Sequence, residues 1–293
     1  MISRPLAGLA ALLLLAAAGP ARADDDAVAV LSAAGGAYLE AFSSFQAAYG
    51  SGVRYFDASR EEPVLPPGTK TVVAFGARAA ARRYPPGVNL VYALAPGFFV
   101  DAAGRQGRTV KISMRLAPQR TLAKLAELQP GLKRLRIFWT TPGYAGFAEE
   151  YPAAGRGLGL EVSVVRVSGQ DSLPGLLRAS LGSADALWLP PDPLLITPDT
   201  LLMMREFAWG NSLPLYASTK GLAREGACAS VGVSFAESGA AAAWALKALQ
   251  AGQPVPALVY PDKLELALNA AAAKRCGLKF SPELTREAAY LFP

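Results

Sequence analysis

The sequence predicts an α/β fold built from two lobes, each a doubly wound parallel sheet. Short apolar strands alternate with amphipathic helices along the 293-residue chain, and that order favours parallel strands joined by crossover helices. The alternation falls into two series of about 100–120 residues, each a normal size for one domain. No Ser/Gly-rich linker separates the two series. We therefore expect the lobes to be joined by a hinge of crossing segments.

The first series is rich in short apolar segments with β-branched residues. These predict strands at residues 27–32, 53–56, 71–75, 89–94 and 108–114. Apolar residues recur on one face of residues 38–49, which predicts a helix there, and a second short helix is predicted at 77–83. A Pro-rich loop, residues 63–68, leads into the third strand.

The second series continues the alternation to the end of the chain. Strands are predicted at residues 135–139, 161–167, 186–189, 213–217 and 229–235. Helices are predicted at residues 119–128, 146–154, 173–181, 200–209, 240–250 and 264–276. Gly277 follows the last of these at the position where a helix commonly ends in a glycine.

Residues 1–23 have the pattern of a cleaved secretory signal peptide. Arg4 precedes an apolar stretch over residues 6–18, and a small-x-small sequence ends at Ala23. The alternative is a membrane anchor, but the apolar stretch is shorter than the roughly 20 residues that span a bilayer. We expect cleavage after Ala23 and a periplasmic, secreted protein.

The composition removes several kinds of chemistry. The chain has no His, which excludes Ser-His-Asp catalysis and His-ligated zinc. Gly155, Gly157 and Gly159 superficially match a dinucleotide-binding fingerprint, but they follow a helix and precede a strand, the reverse of the required order. We expect no enzyme activity, no cofactor and no metal.

The net charge of the chain bears on its possible partners. Removal of residues 1–23 takes away two of the 29 basic residues and none of the 23 acidic ones, which leaves a modest positive excess without a basic tract. We therefore expect no nucleic-acid partner.

Cys228 and Cys276 could form a disulfide in an oxidising compartment or remain buried free thiols, and the sequence leaves both open.

Candidate ligand-binding residues follow the predicted strands. Ligands of open parallel sheets bind beyond the carboxyl ends of the strands. Small or polar residues occupy these positions: Ser32, Ala33, Gly76, Pro96, Thr140, Thr141, Asp192, Ser218 and Thr219.

These residues offer hydroxyl groups, backbone N–H groups at helix starts and one carboxylate. Such a set can hold a ligand carboxylate at a helix N-terminus and a ligand ammonium against Asp192. The alternatives are that Ser32 and Thr141 only cap helices or turns, and that Asp192 is a turn residue.

Large aromatic residues lie on or beside the predicted strands, where core packing is the usual role. One or two of them could instead form a stacking wall in the cleft; the candidates are Trp139, Trp188, Tyr216 and Phe235. Trp244, on an Ala-rich helix, is expected to pack in the core.

An ordered set of segments resembles one known family. Residues 108–114, 127–134, 184–192, 213–216, 226–230 and 269–278 are similar to the ABC transporter substrate-binding proteins that include tryptophan- and tyrosine-type binders. The resemblance covers nearly all of the chain after residue 23. It implies a type I periplasmic binding fold with crossings near Ser113, Ser234 and Tyr260. Lobe 1 would comprise residues 24–113 plus 234–259, and lobe 2 residues 114–233 plus 260–293.

The chain departs from this family in two places. The first lobe is shorter after Val53, as if a strand–helix unit were trimmed, and Phe235 stands where relatives often have an acidic–aromatic pair. The resemblance implies a monomer that captures a small metabolite, such as an aromatic or other amino acid, and delivers it to the membrane permease of an ABC importer. The alternative is a periplasmic sensory module that reports ligand binding to a membrane sensor protein.

Overall fold

A computed structural model describes residues 26–50 and 52–293 of the chain. The expected signal peptide lies outside these residues. The strands are β1 Ala27–Leu31, β2 Arg54–Asp57, β3 Thr71–Phe75, β4 Asn89–Ala93, β5 Thr109–Ile112, β6 Arg134–Trp139, β7 Glu161–Arg166, β8 Ala186–Leu189, β9 Leu215–Ala217, β10 Ala229–Gly232, β11 Leu258–Val259, β12 Glu265–Asn269 and β13 Tyr290–Phe292.

Helices follow most of the strands. They are α1 Gly36–Tyr49, α2 Ala77–Ala80, α3 Pro118–Leu128, α4 Phe147–Arg156, α5 Leu173–Arg178, α6 Pro198–Gly210, α7 Lys220–Arg224, α8 Phe235–Gln250, α9 Ala270–Arg275 and α10 Pro282–Glu287. In the part of the chain described, no helix is long and apolar enough to cross a membrane.

The strands form two separate sheets, which confirms the predicted fold class. The first sheet has the order β11-β5-β4-β3-β1-β2, and all its neighbouring strands are parallel. The second has the order β13-β12-β10-β9-β8-β6-β7. In the second sheet β12 runs antiparallel to β10, so the sheet is parallel except at this edge.

Each sheet is buried on both faces, as a doubly wound fold requires. On one face of the first sheet, α1 and α8 pack together, and a Cβ on Gly239 would lie 1.9 Å from the carbonyl oxygen of Ala41. The other face is covered by the short α2 and by irregular chain that includes Tyr84 and Val88. The second sheet has apolar clusters on both faces, centred on Trp188 and on Met204.

The chain passes between the sheets after β5, after β10 and after β11. In the first passage the Ser113 amide donates a hydrogen bond to the Val259 carbonyl oxygen (2.8 Å). This bond connects the first passage to β11, the strand that leads into the third passage. In the second, the Ser234 hydroxyl accepts a hydrogen bond from the Glu237 amide (3.0 Å) and caps α8. These short connections form the hinge.

Three expectations about local structure are wrong. Residues 265–269 form β12 and not the start of a helix, because the Asn269 side chain accepts a hydrogen bond from the Ala272 amide and caps α9 there. The strand predicted at residues 229–235 ends at Gly232, and Phe235 is the first residue of α8. Trp244 does not pack in the core, since 51% of its surface is exposed.

The two cysteines are buried free thiols, the second of the two alternatives left by the sequence. They belong to one apolar cluster beneath the second sheet. A hydrogen bond with Cys276, together with burial, raises the pKa of the Cys228 thiol above its ordinary range. Cys228 is therefore a neutral core residue at physiological pH.

Candidate functional site

The two lobes touch directly at a pair of glycines. Gly97, in the loop after β4, adopts a left-handed φ of 64°, and Gly143 lies in the loop after β6. A Cβ on Gly143 would lie only 1.9 Å from the carbonyl oxygen of Gly97, and one on Gly97 would lie 2.5 Å from Cγ2 of Thr141. Only residues without side chains allow this approach of two backbones.

A cavity of about 130 Å³ lies beside this contact, and we call it the hinge cavity. Its walls come from the first lobe, from the first crossing segment and from the second lobe. The lining residues are Pro96, Gly97, Phe99, Lys111, Ser113, Met114, Arg115, Gly143, Tyr144, Gly146, Phe147, Glu150, Pro191 and Leu258.

Lys111 brings a buried positive charge to the hinge cavity. It lies in β5 near the carboxyl end of the strand, and only 7% of its surface is exposed. Its ammonium donates a hydrogen bond to the Phe98 carbonyl oxygen (2.7 Å) and lies 3.5 Å from the centre of the Phe99 ring. Burial, with a smaller contribution from the neighbouring Arg115, lowers the pKa of Lys111 to about 7.

Arg115 is the second buried cation of the hinge cavity, and its charge is compensated. Its guanidinium donates to a Glu150 carboxylate oxygen at 2.9 Å. The same group lies 4.5 Å from the ring centre of Phe147, 5.5 Å from that of Tyr151 and 5.2 Å from that of Tyr260. Arg115 therefore links the first crossing segment to the third and to α4.

A second, larger cavity of about 380 Å³ lies on the other side of Met114, and we call it the C-terminal cavity. The Lys220 side chain lines this cavity. Its ammonium lies 2.9 Å from the Tyr290 hydroxyl on β13 and 3.4 Å from a Glu265 carboxylate oxygen on β12. The wall is otherwise mostly apolar or aromatic. The lining residues are Met114, Thr219, Lys220, Gly221, Arg224, Val233, Phe235, Glu265, Tyr290 and Phe292.

Asp192 holds two loops of the second lobe together. Its carboxylate is completely buried. One oxygen accepts from the amides of Thr140 (2.6 Å) and Thr141 (2.9 Å), and the other accepts from the amides of Leu194 (3.0 Å) and Leu195 (3.1 Å). The Thr141 hydroxyl donates to this second oxygen as well. With five internal donors and no exposed surface, Asp192 has the surroundings of a turn residue, the alternative that the sequence leaves open.

The remaining sequence-predicted residues fall into separate groups. Ser32, Ala33 and Gly76 lie together at the start of α1 and α2, where the Ser32 hydroxyl accepts a hydrogen bond from the Ala79 amide (3.0 Å). These three line neither cavity. Ser218 is fully buried, and its hydroxyl oxygen has no hydrogen-bond partner among the described residues.

Three predicted residues line a cavity: Pro96 the hinge cavity, and Thr219 and Phe235 the C-terminal cavity. The sequence reasoning missed Lys111 and Arg115. The available signal was a lysine inside an apolar strand, since lysine is rarely buried without a partner.

The other aromatic candidates are core residues. Trp188 and Tyr216 are fully buried, and Trp188 packs on Tyr151 with ring centres 5.2 Å apart. Trp139 is buried in the same cluster. Of the four candidates, Phe235 is the one that lines a cavity.

Comparison with known proteins identifies similar folds but no sequence family. No protein-family model matches the chain, and no curated protein sequence matches it. Among solved structures, the ligand-free, open form of a substrate-binding protein with adhesive properties from Clostridium difficile is similar with a TM-score of 0.63. The two chains are 13% identical, and the alignment covers 91% of this chain and 99% of that one.

Two further structures are similar over the same length. A conserved domain protein from Vibrio cholerae has a TM-score of 0.60 at 12% identity, with 91% of this chain and 99% of that chain covered. An ABC domain in complex with L-Trp from Streptococcus pneumoniae has a TM-score of 0.59 at 16% identity, with 91% and 100% covered. Likeness at this level of identity establishes the fold: the chain has the two-lobed type I periplasmic binding fold.

Proposed function

We propose that this protein is an extracytoplasmic solute-binding protein that captures a small metabolite between two closing lobes and delivers it to an ABC importer. The observation that carries the proposal is the backbone contact of Gly97 with Gly143 across the lobes, beside a cavity lined by both lobes and by the hinge. Lobe closure over a ligand is a shift between open and closed populations.

The moving units in this proposal are the lobes that the family resemblance implies, residues 24–113 plus 234–259 and residues 114–233 plus 260–293. Short crossing segments without a flexible linker suit rotation of one lobe against the other. The similar proteins from Clostridium difficile and Streptococcus pneumoniae are described as a substrate-binding protein and as an ABC domain with bound L-Trp, which supports binding and transport over catalysis. A cleaved signal peptide would place a monomer in the periplasm.

The experiment that tests this proposal measures ligand binding and lobe closure together. The purified protein is screened by thermal shift against amino acids, small organic acids, sugars and nucleosides. A solute present at 100 times its dissociation constant should stabilise the fold by about 2.7 kcal/mol. Small-angle X-ray scattering with that solute should then show a smaller radius of gyration. A screen without any stabilising solute contradicts the proposed function.

The variant Gly143→Ala tests whether closure needs the glycine contact. Its Cβ meets a backbone carbonyl oxygen of the other lobe, which cannot move aside as a side chain could. We expect at least tenfold weaker ligand binding, about 1.4 kcal/mol, and no compaction. Gly131→Ala is the matched control, because nothing lies within 4 Å of a Cβ built there. Equal affinities for the two variants would show that the lobes need not meet here.

A further inference from the structure

The hinge cavity contains one positive charge without a counter-charge. Arg115 and Glu150 form an ion pair at 2.9 Å. Lys111 has only a carbonyl oxygen and a ring face as partners, and no Asp or Glu among the described residues forms an ion pair with it. A buried ammonium with such weak partners is costly to the folded protein. A ligand that supplied the missing negative charge would remove that cost.

The size and walls of the cavity restrict what such a ligand can be. The volume of about 130 Å³ is below the 300–1,000 Å³ that is usual for drug-sized ligands, but it exceeds the space of a single water. Gly97, Gly143 and Gly146 line it, so a ligand can approach the backbone closely. The space suits one acid group with a few attached carbon atoms.

We propose that the hinge cavity binds the carboxylate of a small organic monoanion, with the Lys111 ammonium as its counter-charge. This proposal rests on the proposed function, because it names the chemical class of the captured solute. A monoanion matches the single uncompensated charge. A phosphate dianion would leave a buried negative charge, because Arg115 is already paired with Glu150.

The ionisation of Lys111 makes the binding of such an acid dependent on pH. Besides Lys111, the titratable groups that line the cavity are Arg115, Glu150 and Tyr144. Arg115 stays charged, and burial raises the pKa of Tyr144 so that it stays neutral. The pKa of Lys111 is lowered to about 7, so the ammonium that binds the acid is lost as the pH rises above that value. Affinity for the acid should therefore fall between pH 6 and pH 9.

The test compares acids with their neutral amides. Calorimetry at pH 6 measures propionate against propionamide and L-lactate against L-lactamide. We expect at least one acid to bind ten or more times tighter than its amide, and that preference to decline by pH 9. Lys111→Met should abolish the preference, whereas Lys133→Met, at an exposed position, should keep it. Melting curves of both variants without ligand confirm that they are folded.

The outcomes separate this proposal from the proposed function. Equal binding of acid and amide, or an unchanged preference in Lys111→Met, overturns the carboxylate site. If a neutral or cationic solute compacts the protein in small-angle scattering while the acids do not bind, the solute-binding function stands and the carboxylate site is wrong. If no solute of any class binds, both are wrong.

Discussion

Asp192 and Lys111 are two buried charges on opposite sides of the lobe contact, and they have very different surroundings. Asp192 is completely buried and accepts hydrogen bonds from four amides and one hydroxyl. Lys111 is 7% exposed and has one carbonyl oxygen and one ring face. A carboxylate with that many donors is stable in the interior, whereas a desolvated ammonium without a carboxylate is not.

The difference separates a structural charge from a functional one. The partners of Asp192 all lie within the second lobe, so the proposed closure of the lobes would leave its hydrogen bonds intact. Lys111 faces a cavity whose walls come from both lobes, so the proposed closure of the lobes would change its surroundings. We therefore expect opposite effects on stability when the two charges are removed.

The largest effect is expected for Asp192→Ala. The change leaves five donors of Thr140, Thr141, Leu194 and Leu195 without their acceptor. Three of these donors are buried, namely the amides of Thr141 and Leu195 and the Thr141 hydroxyl, and each buried donor left unpaired costs about 1–3 kcal/mol. We expect a loss of roughly 3–5 kcal/mol in the free energy of unfolding, measured by urea denaturation at pH 7. The exposed Asp171→Ala is the control. Similar midpoints for the two variants would show that the Asp192 network contributes little.

The next effect has the opposite sign. Lys111→Met removes an uncompensated buried charge and should stabilise the ligand-free protein by about 1–3 kcal/mol at pH 6. The folded-state pKa of Lys111, about 7, lies below the ordinary 10.5, so the cost is fully present below pH 7 and is relieved as the pH rises towards 10.5. The stability of the unmodified protein should therefore rise over that range relative to Lys111→Met.

Urea denaturation at pH 6 and pH 9.5 checks this prediction. Lys133→Met, which removes an exposed charge, should leave the pH dependence as it is in the unmodified protein. A Lys111→Met variant that is less stable than the unmodified protein at pH 6 would mean that the carbonyl and ring contacts of Lys111 outweigh its desolvation.

The fold could be predicted because its signals are local and repeated. The segments at residues 71–75 and 186–189 are strands with the predicted bounds, since each is a short uncharged segment made up mainly of β-branched or large apolar residues. The prediction of one helix over residues 264–276 is wrong because the Ala-rich α9 hides the preceding alternation of Leu264, Leu266 and Leu268. Asn269, a helix cap, was the signal that could have divided them.

The candidate site was only partly predictable, because the sequence rule concerned the residues that follow strands. The cavities are lined by Pro96 and Thr219, which follow strands as the rule requires, and by Phe235, which begins α8 shortly after β10. Lys111 lies within β5, so the rule did not reach it. The role of Asp192 depends on how closely the loop at Thr140 approaches it, which spacing along the chain does not specify.

The smallest effect is expected for Glu150→Gln, which tests whether Lys111 is truly without a counter-charge. The Arg115 side chain is 9% exposed, but that of Glu150 is 41% exposed, so solvent screens the pair from the Glu150 side and its contribution is closer to the roughly 1 kcal/mol of an exposed ion pair than to the several kcal/mol of a fully buried one. Arg115 would keep its contacts with Phe147 and Tyr260. We expect a loss below about 1 kcal/mol in the free energy of unfolding, and the rise in stability above pH 7 should be unchanged. Glu149→Gln, on the exposed side of α4, is the control. If Glu150 did compensate Lys111, its removal would lower the pKa of Lys111 further and move the rise in stability to lower pH. Lys111 would then differ from Asp192 only in how far its charge is compensated.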